Sequence, residues 1–172
     1  LFAERGYAAV SMRQIASKVG LQVGALYNYF PDKQTILSEL LINHMENLLQ
    51  TWHRQKLPKK SDKLLEFFVD FHIEYHLNRP EVVFIAYMEL RNLNPDNFKK
   101  IEKLRNKYEL ILSKILSDGV NKKLFTCEET KIASLAIIGM LKEVNTWYKK
   151  DGRISVPEIK NIYQQIVLKA VT

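Results

Sequence analysis

Only six glycines and five prolines interrupt the 172 residues, and the stretches between them repeat apolar side chains at intervals of three and four. That interval stacks apolar groups on one face of an α-helix, so the chain is expected to be all-α. The interruptions mark where helices stop. LFAERGY reads as the end of a first helix, halted at Gly6. Ser11, with Gln14 three residues on, forms a capping-box pattern that opens a second helix ending at Gly20. A third runs from Gln22 to Tyr29, and Asp32 caps a fourth from Lys33 to about Trp52. LPKKSD, residues 57–62, is the one break of linker character. Beyond it helices are expected at about 62–78, 80–92, 95–118, 127–150 and 156–170, with Thr126/Glu129 and Ser155/Glu158 repeating the capping box. Two domains follow, residues 1–50 and 51–172.

Charge is uneven. The net charge is +7, and residues 1–60 hold eight Lys/Arg against four Asp/Glu, so a polyanion would meet that end first. Cys127 is the lone cysteine, which rules out an internal disulfide and points to a cytoplasmic address. No apolar run is long enough to span a membrane, and no secretory segment opens the chain.

Three short helices with a Gly20-Leu21 turn between the second and third suggest a helix-turn-helix. On a helical wheel Leu26 and Phe30, with Tyr29 beside them, would dock on Ile15, Ala16 and Val19, leaving Gly24, Ala25, Tyr27 and Asn28 on the opposite face. Glycine costs a helix about 1 kcal/mol relative to alanine, which makes sense where something must approach the backbone closely. A duplex groove is such a thing.

Ser11 through Leu37, SMRQIASKVGLQVGALYNYFPDKQTIL, resembles the DNA-binding domain of TetR-family transcriptional regulators in its I-A-x-x-x-G turn, its G-x-L-Y-x-Y-F segment and the P-x-K that follows. The resemblance implies a homodimeric regulator of double-stranded operator DNA, not an enzyme, and a repressor in most cases. It implies that Ser11 and Arg13 face phosphates and that Gln22, Val23, Gly24 and Ala25 meet base edges. Tyr27, Asn28 and Lys33 would hold flanking phosphates. The family often has Ser-Lys-Gly-Thr where this chain has Gln22-Val23-Gly24-Ala25, so apolar contact and DNA shape would carry more of the reading.

The C-terminal part carries two further expectations. KIASLAIIGMLKEVNTWYKK is apolar over a broad arc, as a helix buried on two sides would be. Ile132 and Leu135, with Ile159, Ile162, Tyr163 and Ile166 of the last helix, are expected to meet their copies across a two-fold axis. An effector pocket is expected among Phe71, Phe84, Tyr87, Met88, Arg91, Asn92, Arg105, Tyr108, Leu141 and Trp147, aromatic bulk with a few polar groups. RPEVVFIAYMELRNLNPD and MLKEVNTWYKKDGRISVPEI are similar to TetR-family members that respond to acyl-CoA thioesters. A CoA ligand would find Arg91, Arg105, Lys142, Lys149, Lys150 and Arg153 for its phosphates. The competing effector is a lipophilic cation drawn to Glu89 or Glu143 and stacked on Trp147 or a tyrosine.

Two readings come from other classes. One is an effector-free architectural DNA binder with a filled core. The other is a zinc hydrolase built on His72, Glu74 and His76, although HIEYH lacks the glutamate directly after the first histidine that H-E-x-x-H requires. No cofactor is expected, and no Walker, G-x-S-x-G or G-x-G-x-x-G segment occurs.

Overall fold

A computed structural model describes residues 1–172 and contains only helices: α1 (Phe2–Arg5), α2 (Met12–Lys18), α3 (Val23–Tyr29), α4 (Lys33–His53), α5 (Ser61–Leu77), α6 (Pro80–Met88), α7 (Pro95–Asn121), α8 (Thr130–Trp147) and α9 (Val156–Val171). Capping sets several of these ends. Ser11 Oγ accepts from Gln14 N while Gln14 Oε1 accepts from Ser11 N, and Ser155 and Glu158 repeat the exchange at α9. Asp32 Oδ1 accepts from Thr35 N, at 2.7 Å, at the head of α4. Each satisfies amides that the first helical turn leaves without partners.

Two helix ends fall elsewhere than the sequence suggested. The Thr126 box does not form: Thr126 N donates to Val171 O at 2.6 Å, so that stretch is tied to the end of α9. Glu129 caps α8 instead, accepting from Lys131 N. The helix expected over 80–92 stops at Met88. Glu89 leaves the helix, and a 3-10 turn covers Leu90–Asn92.

Packing divides the chain into two compact units. The first joins Leu1–Asn47 to Pro80–Leu104, so α6, the 3-10 turn and the start of α7, expected in the second domain, pack with the first. Its main core is Phe2, Val10, Leu37, Leu41, Ile85, Ala86 and Ile101. A smaller cluster of Met12, Ala16 and Leu26 holds α2 to α3, with Ile15, Val23, Phe30 and Ile36 against it. The second unit comprises Leu48–Arg79 and Arg105–Thr172. There α5 packs on α8 and α9, and Leu65, Phe68, Ile73, Leu112, Leu116, Leu141, Ile159 and Val167 are buried. Trp52 meets the rings of Phe67, Phe68 and Phe71 in tilted and edge-on contacts, the arrangement that ring quadrupoles favour. The chain passes between the units inside α4, at Arg79–Pro80 and inside α7.

Candidate functional site

The turn between α2 and α3 is closed by Leu21 N donating to Ala16 O at 2.9 Å, with Gly20 at φ +72°. That left-handed conformation admits glycine without steric cost. Leu26 then buries against Met12 and Ala16, and this anchors α3 by one face. The other face is open. Gln22, Gly24, Tyr27 and Asn28 are exposed, Tyr27 at 49%, and a Cβ built on Gly24 would meet nothing within 4 Å. Ser11 and Arg13 are exposed at the start of α2. An outward helix face with one backbone position left bare, on the more basic end of the chain, has the form of a groove-reading element.

Five residues depart from their expected roles. Tyr29 is 73% exposed and Val19 is also exposed, so neither clamps α3; Phe30 does so with Leu26. Val23 is half-buried against the Met12–Ala16–Leu26 cluster, because the first turn of α3 directs it inward, and it is not placed to touch a thymine methyl. Ala25 is half-buried as well. Lys33 is not a free phosphate ligand. Its Nζ donates to Tyr7 O at 2.8 Å and Val10 O at 2.7 Å and lies 4.2 Å from the Tyr7 ring centre. It ties the α1–α2 turn to the head of α4.

In the second unit, Ile132 (66% exposed), Leu135, Ile162 and Ile166 remain uncovered on α8 and α9. Ala136 and Gly139 lie on the same side of α8, and a Cβ on Gly139 would meet nothing within 4 Å, so another helix could come close there. Ile159 departs from the expectation: it is 1% exposed and belongs to the core of its own chain. Tyr163 is half-buried and hydrogen-bonded to Trp147, and burial raises its pKa.

The expected effector residues are divided. Phe84, Tyr87, Met88, Arg91 and Asn92 belong to the first unit; Phe71, Arg105, Tyr108, Leu141 and Trp147 belong to the second. Phe84, Met88 and Trp147 are exposed, Leu141 is fully buried, and Asn92 Nδ2 donates to Glu89 Oε2. Phe71 lines a cleft of about 340 Å³ with Phe67, Tyr75, Asp70, Glu74, Arg79 and Lys160. Lys160 pairs with Glu74, and Arg79 lies 4.0 Å from the Tyr75 ring centre. Burial raises the pKa of Asp70, against the pull of Lys160 and a hydrogen bond from Gln164. Two carboxylates and two cations share its wall, so the cleft offers no excess positive charge to a phosphate.

His72 and His76 stack with ring centres 3.9 Å apart, His76 Nδ1 donates to His72 O, and His72 Nδ1 is 3.1 Å from Tyr108 Oη. Glu74 is exposed and turned to Lys160, so the supposed zinc triad does not assemble, and no three His, Cys, Asp or Glu residues are grouped to hold a metal. No helix is long and apolar enough to cross a membrane.

A sequence family described as bacterial regulatory proteins, tetR family, matches residues 1–40, and a tetracyclin repressor-like C-terminal domain family matches residues 58–171. The fatty acid metabolism regulator protein of Bacillus subtilis is 24% identical over 99% of this chain and 90% of its own length. The HTH-type transcriptional repressor KstR2 of Rhodococcus jostii is 26% identical over 98% and 84%. Among solved structures, the fatty acid degradation regulator FadR of Bacillus halodurans is 26% identical with a TM-score of 0.81, covering 97% of this chain and 88% of that one.

Proposed function

The chain belongs to the TetR family of bacterial regulatory proteins, and from that premise we propose that it is a dimeric transcriptional repressor released from its operator by a fatty acyl-CoA thioester. The observation that carries DNA recognition is the bare outer face of α3, where Gln22, Tyr27 and Asn28 surround the open backbone at Gly24. Gln22 reads a base edge, Tyr27 and Asn28 hold flanking phosphates with Ser11 and Arg13, and Lys33 keeps the domain in shape.

Dimerisation supplies the second half-site. Symmetric half-sites about 34 Å apart require two heads, and the uncovered Ile132, Leu135, Ile162 and Ile166 provide an apolar surface for a four-helix contact. The thioester is favoured by the two fatty-acid regulators among the similar proteins, and by Lys149, Lys150 and Arg153, exposed after α8 and suited to phosphates. No catalytic role is assigned. Because α4 belongs to both units, a ligand that fits one arrangement of its two ends biases the head through that helix. Its leverage equals its differential affinity for the two states.

Isothermal titration with palmitoyl-CoA and with the cationic dye rhodamine 6G, followed by operator binding in the presence of each, tests this reading. Heat from the thioester together with loss of operator binding is expected. Heat from the dye alone would replace the thioester with a lipophilic cation. No heat and no release from either would leave a DNA binder without such an effector.

A further inference from the structure

The first unit contains a polar latch, built on Glu89 and Asn92, that lies apart from the outer face of α3. Glu89, where α6 ends, is 7% exposed, and its carboxylate is fully engaged: Oε1 accepts from Tyr7 N at 3.1 Å and Oε2 from Asn92 Nδ2 at 2.5 Å. The Asn92 carbonyl accepts in turn from Gln34 Nε2, which also donates to Tyr7 Oη at 2.9 Å. Gln34 Oε1 accepts from Asn94 N at 3.0 Å. The ring closes on itself: Tyr7 backbone, Glu89, Asn92, Gln34, Tyr7 hydroxyl. Two of its links span 58 and 82 positions in sequence.

Its placement gives it a consequence. Tyr7 lies in the turn before α2, and Lys33, next to Gln34, holds the same turn through the Tyr7 and Val10 carbonyls. Beneath the latch Ile85 and Ala86 share one core with Phe2, Val10, Leu37 and Leu41. A carboxylate as buried as Glu89 is costly to leave without partners, so the closed latch is favoured over a half-broken one. We propose that Glu89 and Gln34 are positioning residues for DNA recognition: they fix the helix-turn-helix to the α6–Asn94 segment, so the reading head and residues 85–94 shift as one body. Glu89 and Gln34 touch no DNA. They act through Tyr7 and the entry to α2.

This inference rests on the DNA-binding reading and is independent of which effector binds. Linkage makes it testable with DNA alone, because a segment that biases the head must itself be biased when the head is held. The probe is an operator duplex recovered from random-sequence DNA by the wild-type protein, with hydrogen exchange as readout. In the wild type, amides of residues 85–94 exchange at least about fivefold more slowly with duplex bound. In Glu89→Ala that transferred protection disappears while α2 and α3 remain protected by DNA. Glu89→Gln restores it, its oxygen accepting from Tyr7 N and its Nε2 donating to Asn92 Oδ1 once the Asn92 amide turns over. A merely structural role for Glu89 would lower the melting temperature and leave the DNA-dependent difference at 85–94 unchanged. Should Glu89→Ala fold poorly, Gln34→Ala breaks the ring from its half-buried side with the same expected loss. No DNA-dependent change at 85–94 in the wild type overturns the proposal, as does either folded variant keeping the change. A wild-type protein that captures no duplex overturns this inference and the DNA reading together.

Discussion

Replacing Gly24 with alanine should make the protein more stable and a poorer DNA binder. Gly24 is the second residue of α3, its φ lies outside the left-handed region, and an added Cβ has no neighbour within 4 Å. The folded state accepts the methyl without strain, and alanine restricts the unfolded chain. The gain is about 0.5–1 kcal/mol. For a domain of this size each kcal/mol shifts the melting temperature by about 2–4 °C, so a rise of about 1–4 °C is expected. The same methyl stands where a groove wall must close on the helix. Forcing one methyl into a close-packed interface costs about 1–3 kcal/mol, a loss of roughly 5- to 150-fold in operator affinity. Thermal denaturation by circular dichroism and fluorescence anisotropy on one duplex, at matched salt, give the two numbers. A stabilised variant with unchanged affinity would show that no DNA approaches Gly24, and a destabilised one would refute the open space around it.

Other consequences follow from the packing. Lys33→Ala removes two charge-assisted bonds from a half-buried ammonium and should lower stability by about 2 kcal/mol, seen as a melting point about 4–8 °C lower; an unchanged melting point with weakened DNA binding would return Lys33 to the phosphates. Ile166→Glu sets a charge on the uncovered face of α9 and should yield monomers in sedimentation velocity, whereas an intact dimer would move the interface elsewhere. The Asp70 carboxyl is held above its ordinary value of 3.8 by burial, so its contribution to stability is full below that value and is lost as pH rises through the folded value. Asp70→Asn should therefore raise the urea midpoint at pH 7 and converge with wild type near pH 3. A variant less stable at pH 7 would contradict the burial cause.

Local rules made much of this chain legible. The capping boxes at Ser11 and Ser155, the glycine turn at Gly20 and the exposure of Gln22, Gly24, Tyr27 and Asn28 all depend on residues within a few positions of one another. What escaped depends on partners far along the chain. Thr126 looks like a cap until Val171 O takes its amide, and Glu89 looks like a helical residue until Tyr7, 82 positions away, claims its carboxylate. The resemblance assigns Val23 to base edges, although its spacing from Leu26 and Phe30 puts it on their inward face, and the apolar stripe of α9 misplaces Ile159. The apolar arc of α9 is wide enough that only its tertiary neighbours decide which part turns inward: Ile159 and Val167 are buried while Ile162 and Ile166 stay exposed. Lys33 carried a charge that suited a phosphate equally well, and two backbone carbonyls, invisible to any motif, claimed it first.

Selection of binding sites from random duplex DNA by the wild type and by Gln22→Ala, at one salt concentration, bears most directly on whether the outer face of α3 reads sequence. The wild type should recover a two-fold-symmetric site with half-sites about one helical turn apart, and Gln22→Ala should keep that spacing while losing preference at one base pair in each half. Identical preferences from the two proteins, or sites without symmetry, would contradict the account.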